Sequence, residues 1–135
     1  MIAVVGNGHL GNYIANQLGG SHVIKERLGK ITVEHLRGYH VVINTAAKTD
    51  LAWCEENQTE TYDINVSGAL ELRHRAMQAG ARFIQLSSGC VWDGPFNSHG
   101  EPFGPEDPAT PASYYAETKA KCDELLQTEY MDKTA

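Results

Sequence analysis

Ile2-Ala3-Val4-Val5-Gly6-Asn7-Gly8-His9-Leu10-Gly11 is the most informative stretch of this chain. Four apolar residues running into a glycine read as a short, buried strand of a parallel sheet. From Leu10 the apolar residues Leu10, Ile14, Ala15 and Leu18 recur at helical spacing, and Gly19-Gly20 stops them. The glycines therefore form GxGxxG between a strand and a helix, where each has a task. Gly6 permits the tight turn, Gly8 lets the backbone approach a pyrophosphate, and Gly11 lets helix and strand pack closely. The helix N-terminus adds unpaired N–H groups and a partial positive charge. Gly6, Asn7, Gly8, His9, Leu10 and Gly11 are thus the expected seat of a dinucleotide, NAD or NADP.

Outward from this turn, strand and helix signals alternate. Val23-Ile24 is a weak second strand, followed by Lys25-Glu26-Arg27, where a ribose partner belongs. Glu26 suits the ribose hydroxyls of NAD, and Lys25 or Arg27 suits the 2′-phosphate of NADP, so both remain open. Thr32–Leu36 reads as a helical turn and Val41–Asn44 as a strong β-branched strand. A helical region spans Cys54–Ala79 with a break near Gln58–Thr61, and places Ile64, Ala69, Leu72, Ala76 and Met77 on one side. Gly80 ends it, Arg82–Leu86 is the next buried strand, and Ser113–Tyr130 is the last helix, with Ala116, Ala120, Leu125 and Leu126 facing inward. This alternation predicts an α/β fold: a Rossmann-type, doubly wound parallel sheet in one domain over residues 1–135.

All five prolines fall within Asp93–Ala112, between the last strand and the last helix. Each removes an N–H donor and fixes its own φ, so no regular element fits there. Loops of this length are usually functional or disordered. Trp92, Phe96 and Phe103 give this one apolar anchors, and a substrate-side flap and an inert surface loop are equally open.

The net charge of −6 and the lack of a basic stripe argue against a nucleic-acid partner. No apolar run has the length of a membrane span and no basic-then-apolar leader opens the chain, so a cytoplasmic protein with no membrane partner is expected. Cys54, Cys90 and Cys122 are widely spaced reduced thiols in this reading. The six histidines lack metal-ligand spacing, so no metal site is expected.

Tyr115 and Lys119 are four apart on the last helix and so share a face. An ammonium one turn from a phenol favours the phenolate, which equips such a tyrosine to exchange a proton with a carbonyl or hydroxyl. Ser87-Ser88 follow the strand that ends near Leu86, at the sheet edge where α/β ligands bind. A hydroxyl there can bond a substrate oxygen and polarise it during hydride transfer.

In order along the chain, these segments resemble the extended branch of the short-chain dehydrogenase/reductase superfamily. The likeness rests on the glycine turn, Val42-Ile43-Asn44-Thr45-Ala46-Ala47-Lys48-Thr49, Cys54-Glu55-Glu56 and Asn65-Val66. It continues through Leu86-Ser87-Ser88-Gly89-Cys90-Val91-Trp92-Asp93-Gly94 and Pro111-Ala112-Ser113-Tyr114-Tyr115-Ala116-Glu117-Thr118-Lys119. Within that branch the chain is most similar to dTDP-4-dehydrorhamnose reductases and to nucleotide-sugar epimerases and dehydratases.

The resemblance implies a catalytic triad of Ser88, Tyr115 and Lys119, with Tyr115 as acid/base. It implies that Ala46 and Ala47 line the cofactor cleft, that Lys119 also reaches a ribose, and that Thr49 lies near the substrate with Ser88 and Tyr115. The substrate would be a dTDP- or UDP-linked keto sugar, reduced by hydride from NAD(P)H. The glycine turn is one residue shorter than the family's usual GxxGxxG. Gly29 and Lys30 stand where an acidic residue near the adenine is common, and Gly89-Cys90 replaces a polar and aromatic pair. Extended members run to about twice this length, so a C-terminal substrate domain is expected to be absent. The sheet is expected to show an open edge and an apolar face, covered most simply by a second copy in a homodimer. The alternatives are a nucleotide-sugar epimerase or dehydratase, a binding or protein-interaction module without turnover, and a fragment of a longer enzyme.

Overall fold

The structure, a computed structural model, describes residues 1–134, with side chains through Thr128. Four strands, β1 (Ile2–Val5), β2 (Ser21–Ile24), β3 (Val41–Asn44) and β4 (Arg82–Gln85), pair in parallel in the order β2-β1-β3-β4. The Rossmann-like sheet read from the sequence is therefore present. Ala3, Val4 and Val5 are at most 1% exposed, as a strand covered on both faces requires. β2 is longer than its apolar pair suggested, because Ser21 and His22 are drawn into the ladder opposite Ile2 and Ala3. Pairing to a buried neighbour here outweighs weak strand preference.

Six α-helices accompany the sheet among the described residues: α1 (His9–Gln17), α2 (Val33–Leu36), α3 (Leu51–Glu56), α4 (Gln58–Tyr62), α5 (Ala69–Gln78) and α6 (Tyr114–Thr134). The helical region after β3 starts at Leu51, ahead of the expected Cys54, because Asp50 caps it by accepting the Trp53 N–H at 2.8 Å. Its break falls at Asn57, whose side chain bonds the Trp53 carbonyl at 2.9 Å. A π-helical segment, Asp63–Gly68, then joins α4 to α5. Such widened turns often accompany functional sites, and periodicity gave no sign of this one. Of the apolar face expected there, Ala69, Leu72 and Ala76 are buried, whereas Ile64, inside the π-helical segment, is half-buried and Met77 is 39% exposed.

One core cluster joins Ala3, Val5 and Val42 of the sheet to Leu36, Leu72 and Ala76 of α2 and α5. A second joins Val66 and Ala69 to Cys122 of α6, with Leu125 and Leu126 packed against it. α6 thus docks on the π-helical segment. At the other end of the sheet order from β2, β4 is an edge strand and not the buried one expected: Arg82 and Ile84 (46%) are exposed and Phe83 and Gln85 half-buried, because among the described residues no further strand covers that side. Among the described residues, no helix is long and apolar enough to cross a membrane.

Candidate functional site

The parallel registers set Val5 beside both Ile24 and Asn44, and Asn44 beside Gln85. The strands therefore end level, and Gly6, Lys25, Thr45 and Leu86 leave the sheet along one edge. All the site residues read from the sequence lie on these four exits or on the helices that follow them.

At the first exit Gly6 takes φ +110°, a conformation that L side chains rarely adopt. A Cβ on Gly11 would stand 2.0 Å from the Gly6 carbonyl and 2.8 Å from Thr45 Oγ1. Thr45 is thus the floor of the turn: its hydroxyl donates to the Val5 carbonyl at 2.8 Å, tying the β3 exit to the β1 exit. Gly8 differs, since a Cβ there would meet nothing within 4 Å. No side chain caps α1 at Gly8, so no side chain claims the first N–H groups of the helix. Asn12, itself exposed, steadies the turn by donating to the Gly8 carbonyl at 2.8 Å and to Asn7 Oδ1 at 3.2 Å. Packed glycines beneath an open glycine and an uncapped helix start fit a phosphate-bearing group laid against the backbone. His9 and Leu10 are exposed beside it.

At the second exit Lys25, Glu26 and Arg27 are all exposed. At the third, buried Asn44 donates to Gln85 Oε1 at 2.8 Å and accepts the Ala46 N–H at 3.0 Å, which sets the course of Ala46-Ala47. Lys48 is fixed at both its backbone groups by Asn65 of the π-helical segment: Oδ1 accepts its N–H at 2.8 Å and Nδ2 donates to its carbonyl at 3.0 Å. Asn65 Nδ2 also donates to Thr118 Oγ1 at 3.1 Å, inside α6. One buried amide therefore holds the β3 exit against the helix of Tyr115. Glu55 adds a second tie, accepting the Tyr114 N–H at 2.7 Å. Thr49 lies apart from these contacts, in a cavity of about 640 Å³ lined also by Lys48, Asp50 and Trp53, with the Lys48 ammonium 4.8 Å from the centre of the Trp53 ring.

At the fourth exit Ser88 Oγ accepts the Cys90 N–H at 3.1 Å and so begins a 3₁₀ turn, Gly89–Val91. No hydrogen bond joins it to Tyr115 or Lys119 among the described residues. Tyr115 is 8% exposed and Lys119 3% exposed, one turn apart on α6. The Lys119 ammonium donates to the Leu86 carbonyl at 2.8 Å. Burial holds Lys119 below the usual lysine range, opposed by the nearby Cys122 and Asp123. Burial pushes the Cys122 thiol up to about 11. The structure thus ties Lys119 to the strand exit and keeps Tyr115 on the same helical face, while Glu26, Arg27 and Thr49 stand separately. Thr45, Glu55, Asn65 and Thr118 hold the site and went unassigned in the sequence. A signal for Asn65 was an amide between Ile64 and Val66, in a helix whose neighbours are apolar.

Among the described residues, no group of three or more His, Cys, Asp or Glu side chains is placed to hold a metal ion.

Residues 7–134 match the family described as RmlD substrate binding domain. A dTDP-4-dehydrorhamnose reductase of Mycobacterium tuberculosis is 36% identical over 85 residues, which cover 62% of this chain and 28% of that protein. The crystal structure of a dTDP-4-dehydrorhamnose reductase from Clostridium acetobutylicum superposes with a TM-score of 0.77 at 31% identity, covering 94% of this chain and 49% of that one. A short-chain dehydrogenase/reductase superfamily protein from Agrobacterium tumefaciens, solved with bound NAD, gives 0.78 at 25% identity over 95% of this chain and 44% of its own. The chain therefore spans half or less of the length of these relatives.

Proposed function

The chain belongs to the RmlD substrate binding domain family, and from that premise we propose that residues 1–135 form the NAD(P)-binding, proton-transferring part of an oxidoreductase of the dTDP-4-dehydrorhamnose reductase type. Its substrate is a keto group on a nucleotide-linked sugar. The observation that carries this reading is the 2.8 Å bond from Lys119 to the Leu86 carbonyl, which ties the helix of Tyr115 to the strand exit of Ser88.

When bound, the dinucleotide supplies the hydride. The open backbone at Gly8 and the start of α1 take the pyrophosphate, where unpaired N–H groups and the helix dipole favour negative charge. Ala46 and Ala47 line the cleft with small side chains, and Glu26 or Arg27 meets the ribose of the adenosine. Lys119 keeps a positive charge beside Tyr115 and binds the second ribose. Ser88 donates a hydrogen bond to the carbonyl oxygen of the substrate, and Tyr115 gives that oxygen its proton. Burial of the tyrosine ring and the lysine stem keeps water from competing for these contacts.

Calorimetric titration of the chain with NADH and NADPH side by side tests the binding half of the proposal. Micromolar binding of either is expected, and binding of neither would end this reading. For the chemistry, Tyr115→Phe should lower turnover of dTDP- or UDP-keto sugars by roughly 10²–10⁴-fold, the usual scale of a positioned acid. Dinucleotide affinity should stay within about twofold, because the phenol is assigned no role in holding the cofactor. Unchanged turnover would remove Tyr115 from the mechanism.

A further inference from the structure

α6 meets the β4 exit at two points, one helical turn apart. Lys119 holds the Leu86 carbonyl at 2.8 Å, and the Ser87 hydroxyl donates to Asp123 Oδ2 at 2.5 Å. Leu86 is the first residue past β4, its N–H still on the Asn44 carbonyl at 3.1 Å, and Ser88 follows directly after Ser87. Position 123 is well inside a helix that runs from Tyr114 to Thr134. An aspartate there gains nothing from helix propensity and too little from the macrodipole to explain it, since that field fades beyond the first turn. Its carboxylate is also partly withdrawn from water, which pushes it above the usual carboxylate range against the bond from Ser87 and the charge of Lys119. The position therefore costs something on both counts, and the contacts it makes are with the site.

The reading above assigns the Lys119 ammonium to a ribose. A lysine committed to a ligand has less to offer the Leu86 carbonyl, and the bond between Ser87 and Asp123 then becomes the tie that keeps the strand exit on α6. Resting on that reading, we propose that Asp123 is a positioning residue of this site. Through Ser87 it fixes the backbone that carries Ser88, and its carboxylate is the counter-charge of Lys119. The titratable groups near the Lys119 ammonium are all on α6: Cys122 and Asp123, which act on it most, and the Tyr115 phenol one turn earlier. The β4 exit contributes the Leu86 carbonyl and the Ser87 hydroxyl, neither of which titrates in the working range. Cys122, at about 11, is a neutral thiol near neutrality, which leaves Asp123 as the anion.

The test is an NMR titration of the Lys119 side chain in the full, unliganded chain with isotope-labelled lysine, between about pH 7 and 12. Asp123→Asn keeps an oxygen for Ser87 and removes the charge, so the Lys119 midpoint should fall by roughly one unit. Asp123→Glu should restore it. Ser87→Ala keeps the charge, so the midpoint should stay within about 0.3 units while the amide signals of Ser88 and Cys90 move. An unchanged midpoint in Asp123→Asn, or unmoved Ser88 and Cys90 amides in Ser87→Ala, overturns the proposal, even if both variants melt earlier. Dinucleotide affinity is measured separately on the same proteins. If the parent chain binds neither NADH nor NADPH while the midpoint still falls, the cofactor reading fails and the tie between Asp123 and Lys119 stands.

Discussion

The glycine turn, which runs from Gly6 into the first turn of α1, and the irregular proline-rich segment at residues 93–112 both adjoin the candidate site, yet they are held by opposite means. The turn is held by what is missing. Gly6 sits at φ +110°, and Gly11 lies so close to the Gly6 carbonyl that a Cβ would stand 2.0 Å from it. The proline segment is held by what is present. Trp92 stacks on Phe103 with centroids 5.7 Å apart, and its indole N–H donates to the Asp107 carbonyl at 3.2 Å. The Asp107 carboxylate accepts from the Gly104 N–H at 2.7 Å and from Asn97 Nδ2 at 3.2 and 3.3 Å. Thr110 closes the base, its N–H on the Val91 carbonyl and its Oγ1 accepting the Asp93 N–H, each at 2.8 Å. A structure built on exclusion fails when one atom is added. One built on several side-chain contacts gives way a piece at a time.

The sharpest break of this contrast is Gly11→Ala. The added carbon meets backbone on one side and the Thr45 hydroxyl on the other, neither of which is the loose end of a flexible chain. We expect a loss of about 2–4 kcal/mol in urea unfolding, in the range of core overpacking and above. A loss below about 0.5 kcal/mol, the scale of an ordinary surface change, would mean that helix and strand separate freely there. Gly8→Ala sharpens the comparison from within the turn. Nothing lies within 4 Å of the new carbon, so stability should stay within about 0.5 kcal/mol. If a pyrophosphate lies on that backbone, dinucleotide affinity should still drop roughly tenfold, equivalent to about 1.4 kcal/mol. Unchanged affinity would move the phosphate site away from Gly8.

The same contrast explains what the sequence made legible. Glycine spacing reports backbone demands directly, so the β1 strand, the turn and the start of α1 could be read from a few residues. β3 and β4 were equally plain from their β-branched and apolar runs, and the sheet order agrees with that alternation. Tyr115 and Lys119 could be paired because helical spacing is local. Contacts between distant segments left no such mark. Asn65 joins Lys48 to Thr118 across 17 and 53 residues, and although its apolar neighbours Ile64 and Val66 hint at burial, no local rule names those partners. The Ser87–Asp123 bond spans 36 residues and was invisible for the same reason. Proline positions excluded regular structure from Asp93–Ala112, but they carried no information on which donors would find Asp107.

The smallest expected effect lies in that segment, and it is a matter of pH. The Gly104 N–H, then Asn97, then the charge of His99 hold the Asp107 carboxyl below its ordinary value of 3.8, with burial opposing them. A carboxyl depressed in the fold favours the folded form at pH above its unfolded value, and that contribution is lost as pH falls through the folded one. The loop contacts should therefore persist through mild acid and loosen only below the ordinary carboxylate value of 3.8. Trp92 reports this, because it touches both Phe103 and Asp107. In a Trp53→Phe background its fluorescence should hold steady from neutrality to about pH 4 and change below, and in Asp107→Ala that acid step should vanish. A transition centred above 3.8 would mean that Gly104 and Asn97 do not hold the carboxylate. The segment would then owe its shape to the aromatic stack and the Thr110 closure.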